Sequence, residues 1–194
     1  MKTALLLNGS KVFDDSKAKL SATLQEVAKT ELENRGYKII QTHIDKGYNE
    51  DEEVQKWLDS ELAIWQLPAW WMGEPWIVKK YIDTIFTTKG FEKFFISDGR
   101  HRDNPDINYG KGGLMQGKKV MLSVTWNAPL RAFTDKNEFF EGKGVEAVYF
   151  HFHKIHEFIG MTCLPTFMCN DVVKNPQISK YIEDYKTHLA RVLD

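Results

Sequence analysis

The chain has 194 residues, with 26 Lys and Arg against 27 Asp and Glu, two cysteines and a formal net charge of −1. That length suits one globular domain, the 42% apolar and 13% aromatic content excludes a disordered chain, and the balanced charge excludes a globally basic nucleic-acid binder. Two cysteines make no disulfide framework and point to a reducing, cytoplasmic setting, while no apolar run approaches the ~20 residues of a membrane span.

Taken in chain order, residues 3–7 form the nearly continuous apolar run of a strand buried on both faces, closed by the turn Asn8-Gly9-Ser10. After a loop to about Ser16, the residues Leu20, Leu24, Val27, Ala28 and Leu32 trace the stripe of an amphipathic helix. Gly36 stands where a left-handed cap is expected. A second strand over 38–44 follows, then a helix over 50–59 with Val54, Trp57 and Leu58 inward, and a third strand over 62–67. Pro75 opens a helix running through Phe86. Residues 87–117 show no sustained period and read as a long excursion with room for a short helix or strand. The pattern resumes with a strand at 119–124, a turn at 125–129, a helix at 148–158, a strand at 162–169 and a last helix at 177–192. Five strands alternating with helices predict one doubly wound α/β domain over residues 1–194, its parallel sheet covered by helices on both faces.

Open parallel sheets bind ligands beyond the carboxyl ends of their strands, which singles out the segments 8–23, 68–74 and 125–129. The first has no G-x-G-x-x-G fingerprint, but it places Ser10, Ser16, Ser21 and Thr23, with Lys17 and Lys19, around a helix start. Free backbone N–H groups and hydroxyls bind phosphate at such a place. Ser16 reads equally as an N-cap, and the two roles can coexist. In the second segment, adjacent Trp70 and Trp71 do not easily enter one sheet–helix interface together. They read either as a cleft wall on which a planar ligand stacks or as a pair packed beneath the excursion. The third, Thr125-Trp126-Asn127-Ala128-Pro129, offers a hydroxyl, an indole, a carboxamide and backbone amides to the edge of a heterocycle.

Other motifs carry less. Residues 112–119 have the glycine and lysine spacing of a nucleotide phosphate loop, but Lys119 stands where a hydroxyl is needed and the segment leads into a strand. No regular geometry gathers His151, His153 and His156, so a surface or half-buried cluster is the reading, with no metal site. Cys163 and Cys169 read as small apolar residues of a buried strand. The pairs Lys79-Lys80 and Lys118-Lys119 are solvated faces, with no polyanion site. Neither a serine elbow nor carboxylates spaced for glycoside hydrolysis occur.

The turn Leu67-Pro68-Ala69-Trp70-Trp71-Met72-Gly73, followed by Pro75-Trp76 and Lys79, the stretch Tyr109-Gly110-x-Gly112-Gly113 and the turn Thr125-Trp126-Asn127-Ala128-Pro129 resemble the modulator of drug activity B family. That family belongs to the flavodoxin-like NAD(P)H:quinone oxidoreductases and is related to DT-diaphorase, and the resemblance runs from Leu5 through the last helix. It implies a flavodoxin-like five-stranded parallel sheet of order 2-1-3-4-5, tightly but non-covalently bound FAD, and a homodimer with flavin sites at the subunit interface. By position it assigns Ser16, Lys17, Leu20, Ser21 and Thr23 to the dinucleotide phosphates. Pro68, Ala69, Trp70, Trp71 and Met72 fall beside the flavin ring, and Thr125, Trp126, Asn127 and Ala128 at its opposite edge. Tyr109 matches a flavin-site tyrosine, contributed across the dimer. The tyrosine and histidine that manage charge in DT-diaphorase have no match here, so no catalytic side chain is assigned.

A flavin accounts for the missing acids and nucleophiles, since the cofactor carries the chemistry while the protein orients and polarises it. The expected activity is ping-pong, two-electron reduction of a quinone by NAD(P)H in a slot walled by Trp71, Trp126 and Tyr109. An azo- or nitro-reductase of the same fold is the enzymatic alternative. A flavodoxin-like electron carrier is the other, and the near-zero net charge argues against it.

Overall fold

The computed structural model describes residues 1–13 and 17–193. Its centre is a parallel sheet of β1 (Thr3–Asn8), β2 (Lys38–His43), β3 (Leu62–Pro68), β4 (Lys119–Trp126), β5 (Thr162–Cys163) and β6 (Phe167–Asn170). The order is β2-β1-β3-β4-β5, and β6 also pairs with β4. The predicted order 2-1-3-4-5 therefore holds, with the fifth position shared by two short strands where one was expected over 162–169. Pro165 lies in the gap; a proline has no N–H for the ladder and forces a break there.

Alternate residues of each strand enter different cores, because side chains leave a strand on opposite faces. Leu5, Leu7, Trp65, Leu67, Leu122 and Val124 pack on one face with α2 (Glu50–Asp59), α3 (Trp76–Ile82) and α6 (Phe150–Phe158). Ala4, Leu6, Ile64 and Met121 pack on the other with α1 (Lys19–Glu33) and α7 (Ile178–Leu193). Both faces are dry, which is why the strand sequences read as apolar runs rather than alternations.

The helices depart from expectation in two places. The one predicted through Phe86 is α-helical only to Ile82 and continues as a wider π-helix over Asp83–Lys89. The one predicted at 148–158 is divided at Tyr149 into α5 (Gly144–Val148) and α6, with the short α4 (Arg131–Thr134) before it. Past the π-helix, the described residues of the excursion form isolated bridges and turns, Phe95 with Gly113 among the bridges. The excursion is nonetheless pinned: Phe94 is fully buried, Leu114 donates its N–H to the Phe94 carbonyl at 2.7 Å, and Met115 donates to Ile159 at 2.9 Å. Gly113 passes so close to Ile159 that a Cβ would lie 2.2 Å from its carbonyl carbon. No described helix is long and apolar enough to cross a membrane.

The ionisable groups Glu53 and His156 inside the core are paired, whereas Gln66 Nε2 and the Tyr149 and Tyr185 hydroxyls find no partner among the described residues. Glu53, fully buried, accepts from Thr42 Oγ1 at 2.8 Å and from Tyr81 Oη at 2.7 Å, beside the Lys56 ammonium. The Trp57 indole donates to the same Tyr81 oxygen at 2.9 Å. His156, also fully buried, lies 3.0 Å by Nε2 from the Trp65 indole nitrogen and 2.8 Å by Nδ1 from the Phe152 carbonyl. An indole N–H only donates, so Nε2 accepts, Nδ1 carries the proton, and the ring is neutral.

Burial lowers the His156 pKa from 6.5 to about 4, against a raising contribution from the Phe152 carbonyl. Between those values the unfolded chain binds the extra proton and the folded chain does not, so stability falls as pH drops from 6.5 toward 4. The full loss is on the order of 3 kcal/mol. We expect the stability advantage of wild type over His156→Asn, measured by urea unfolding, to shrink between pH 7.5 and pH 4.5. His43 and His188, whose pKa values burial also lowers, are common to both proteins and cancel. A constant difference across that range would rule out His156 as the acid-sensitive group.

Candidate active site

The carboxyl ends of β1, β3 and β4 stand side by side, with Asn8 opposite Gln66 and Pro68 opposite Thr125. Their outgoing loops are tied together. Gly9 N donates to the Gln66 carbonyl at 3.0 Å and Ala69 N to the Thr125 carbonyl at 2.9 Å. In the first loop the buried Asn8 side chain accepts from Ser10 N at 2.9 Å and from Ser10 Oγ at 2.5 Å, which fixes the exit from the sheet.

Ala18 occupies the cap position of α1 at φ 54° and offers no side-chain oxygen to the first turn. Ser16, expected to serve there, lies outside the described residues. Lys17 is exposed near the helix start, Leu20 is half-buried and Ser21 is buried. Thr23 sits a turn later, its hydroxyl donating to the Lys19 carbonyl at 3.1 Å, and lines a groove with Ile182 and Lys186 of α7. Of the expected phosphate residues, the four described ones, Lys17, Leu20, Ser21 and Thr23, do not form one cluster of open polar groups.

The second loop is a tight reversal. Trp70 N donates to the Gly73 carbonyl at 2.9 Å and Gly73 N to the Trp70 carbonyl at 3.1 Å. Both central residues are left-handed, Trp71 at φ 46° and Met72 at φ 66°. Two successive positive φ values mark a type I′ turn, which favours Asn-Gly; bulky residues are held there under strain. The two indoles part company. Trp70 is half-buried with its ring 5.1 Å from that of Phe13, bracing the turn against the first loop. Trp71 is 98% exposed and Met72 48%. Behind the turn, the mostly buried Glu74 carboxylate pairs with His151 Nε2 of α6 at 2.9 Å.

The third loop corrects one expectation. Strand β4 runs through Trp126, two residues beyond the predicted end, and that register turns the indole into the core. It is 7% exposed and meets Phe133, Phe140 and Tyr149 at centroid distances of 5.0, 5.5 and 6.0 Å. Trp126 is therefore a foundation of the site rather than a wall of a slot. Thr125 is likewise buried. Asn127 Oδ1 accepts from Val173 N and Lys174 N, each at 3.3 Å, and the Ala128 carbonyl accepts from Asp171 N at 2.8 Å. Among the described residues the Asn127 and Ala128 N–H groups donate to no protein atom, leaving two backbone donors at the sheet edge.

Tyr109 is 72% exposed, flanked by Phe158 and by the Arg100 guanidinium 5.7 Å above its ring, which Asp98 holds at 2.7 Å. It lines a cavity of about 490 Å³ with Phe86, Phe95, His151 and Phe158, none of them from the three loops. The structure therefore does not bring Tyr109 together with them within one chain.

The three histidines go to separate places: His151 to Glu74, His153 to Glu146 at 2.7 Å, and His156 into the core. Burial pushes both cysteine thiols up to about 12, so neither is a ready nucleophile. Sequence reasoning missed Asn8, Phe13 and Glu74. The first two precede the recognisable helix stripe, and Glu74 shows its role only through a residue 77 positions away.

The model of a family described as having the flavodoxin-like fold matches residues 2–189. The NADPH:quinone oxidoreductase MdaB of Haemophilus influenzae is 54% identical over 188 residues, 97% of each chain. Among solved structures, one from Klebsiella pneumoniae, described as a candidate quinone reductase, superimposes with a TM-score of 0.73 at 21% identity, covering all of this chain and 84% of its own. General stress protein 14 of Treponema denticola, in complex with FMN, gives 0.68 at 16% identity over 98% and 99% of the two chains. At such identities the solved structures speak for the fold alone.

Relieving the turn tests whether it is strained. The double change Trp71→Asn, Met72→Gly puts the preferred residues at both left-handed positions and is expected to add about 1–2 kcal/mol of stability. For a chain of this size that raises the melting temperature by ~2–8 °C. A lower melting temperature in the cofactor-free protein would show that the turn carries no strain.

Proposed function

The chain belongs to the modulator of drug activity B family of flavodoxin-like proteins, and from that footing we propose that it is an FAD-dependent NADPH:quinone oxidoreductase. The observation that carries the reading is the 54% identity, over 97% of both chains, to an NADPH:quinone oxidoreductase. The site is consistent with it: an exposed indole and thioether on a rigid turn, two backbone donors on the adjacent strand end, and no activated nucleophile among the described residues.

These groups fit a flavin. Trp71 and Met72 would flank its ring, and the Asn127 and Ala128 N–H groups would hold negative charge at its pyrimidine edge, as preorganised donors do. Lys17 and the first turn of α1 would take the phosphates. When bound, the flavin accepts hydride from the nicotinamide and passes two electrons to the quinone. The protein binds and orients. The Trp71 face gives flat rings a surface to occupy in turn, which is the basis for ping-pong kinetics. FAD rather than FMN is our reading from the family resemblance.

A second copy of the chain completes the proposal. Phe91, Ile96, Ile107, Tyr109 and Leu114 are exposed on the excursion, a surface suited to a partner, and through it Tyr109 would reach the other subunit's flavin. A cytoplasmic location agrees with the unpaired Cys163 and Cys169.

The purified protein should be yellow, release FAD on denaturation and oxidise NADPH with a quinone. Colourless protein that takes up no FAD would sink the scheme, and a long-lived one-electron form on stepwise reduction would favour a carrier. Trp71→Ala should lower quinone turnover or flavin affinity about 3–10-fold, the worth of one aromatic contact. Its melting temperature should hold or rise, because the ring is 98% exposed. A large drop in melting temperature with function intact would make Trp71 a structural residue.

A further inference from the structure

The Trp71–Met72 turn is restrained differently on its two sides. On the incoming side, Ala69 N is tied to the Thr125 carbonyl at 2.9 Å and the Trp70 ring rests 5.1 Å from that of Phe13. On the outgoing side, a Cβ at Gly73 would meet no heavy atom within 4 Å, and α3 begins without a side-chain cap. Between Gly73 and the buried Ile77, the contact of His151 Nε2 with the Glu74 carboxylate at 2.9 Å is the one side-chain hydrogen bond among the described residues. Trp71 at φ 46° and Met72 at φ 66° are both side-chain-bearing residues in the left-handed region. Bulky residues stay there only when their surroundings hold them.

Both ends of that bond are themselves fixed. The Glu74 side chain is 8% exposed, and a carboxylate so far from water is costly without a donor. Tyr149 does not supply one, since its buried hydroxyl has no partner. His151 stands on α6, which the buried Phe152 and His156 anchor in the core. Its ring lies nearly parallel to that of Tyr149, with 23° between the planes and centroids 6.5 Å apart. The restraint therefore runs from the core through α6 to the carboxylate and on to the turn. A turn that moved away would strip Glu74 of its donor.

We propose that Glu74 and His151 are positioning residues of the site, a pair that holds the Trp71–Met72 turn in its left-handed form and so fixes the surface that Trp71 offers to a flat ring. What that surface does rests on the quinone reductase reading; the hold on the turn stands without it. A carboxylate only accepts, and His151 donates from Nε2 both as the imidazolium and as the neutral Nε2–H tautomer. The pair is thus a tie, neither acid nor base in the reaction. His151 is half exposed, so solvent screens the bond and its effect is moderate.

The test is a double-mutant cycle read at Trp71. In protein labelled with 5-fluorotryptophan, the Trp71 fluorine resonance is assigned by its loss in Trp71→Phe. Glu74→Ala and His151→Ala should each displace it, and the double variant should displace it no further, because one bond is broken in all three. His151→Gln, whose amide still donates to the carboxylate, should return the resonance to its wild-type position. With NADPH and 2-methyl-1,4-naphthoquinone, each alanine variant should lose about 3–10-fold in kcat/KM. In a Trp71→Ala background, Glu74→Ala should cost no more than about twofold, since it acts through that ring. A Trp71 resonance unmoved by either alanine variant overturns the proposal, as do additive displacements, which would mean that the two residues act separately. An undiminished loss from Glu74→Ala in the Trp71→Ala background overturns it as well. Wild type that reduces no quinone refutes the enzymatic reading instead, while the cycle at Trp71 still decides whether the pair holds the turn.

Discussion

Parallel strands buried on both faces leave water access only at their ends, and the rest of the molecule follows from that. With Leu5 and Leu7 under one helical layer and Ala4 and Leu6 under the other, no face of the sheet is left for a ligand. A charged or titratable group inside is costly unless it is paired or held neutral, since burial without a partner costs a few kcal/mol. Hence Glu53 is surrounded by Thr42, Tyr81 and Lys56, and His156 is held neutral between Trp65 and Phe152. The chemistry is pushed to the loops beyond β1, β3 and β4.

Those loops, in turn, can hold conformations that would not persist alone. Trp71 and Met72 are left-handed because reciprocal hydrogen bonds close the turn, Ala69 is tied to Thr125, and Trp70 rests on Phe13. A sheet that cannot shift makes such a turn possible, because relaxation would have to move packed strands. The aromatic residues divide accordingly. Trp57, Trp65 and Trp126 fill the core, whereas Trp71, Tyr109 and Phe139 stand in water.

How much of this could be read in advance depends on the range of the interaction concerned. Apolar runs and helical stripes are local, so β1, α1, α2 and β3 fall close to their predicted spans. The break at Pro165 was visible as a residue but not as two strands, because both halves find the same neighbour, β4. Trp126 was misjudged because the end of β4 is set by pairing with Asn170, 44 residues later. Adjacent Trp70 and Trp71 announced that one ring must leave the core. Which one left was decided by Phe13 and by the sign of φ.

By itself, then, the sequence determined the α/β class, the strand order through its family resemblance, and the three loops where chemistry has to lie. Periodicity and turn residues act over a few positions and survive without a partner. Only the tertiary structure decided that Trp126 is buried and Trp71 exposed, that His151 belongs to Glu74, and that Met72 faces Phe139 across a cavity. Each of these rests on residues 44 to 77 positions apart or on a backbone conformation that neighbours impose. Such contacts exist only once the sheet has closed over both its faces.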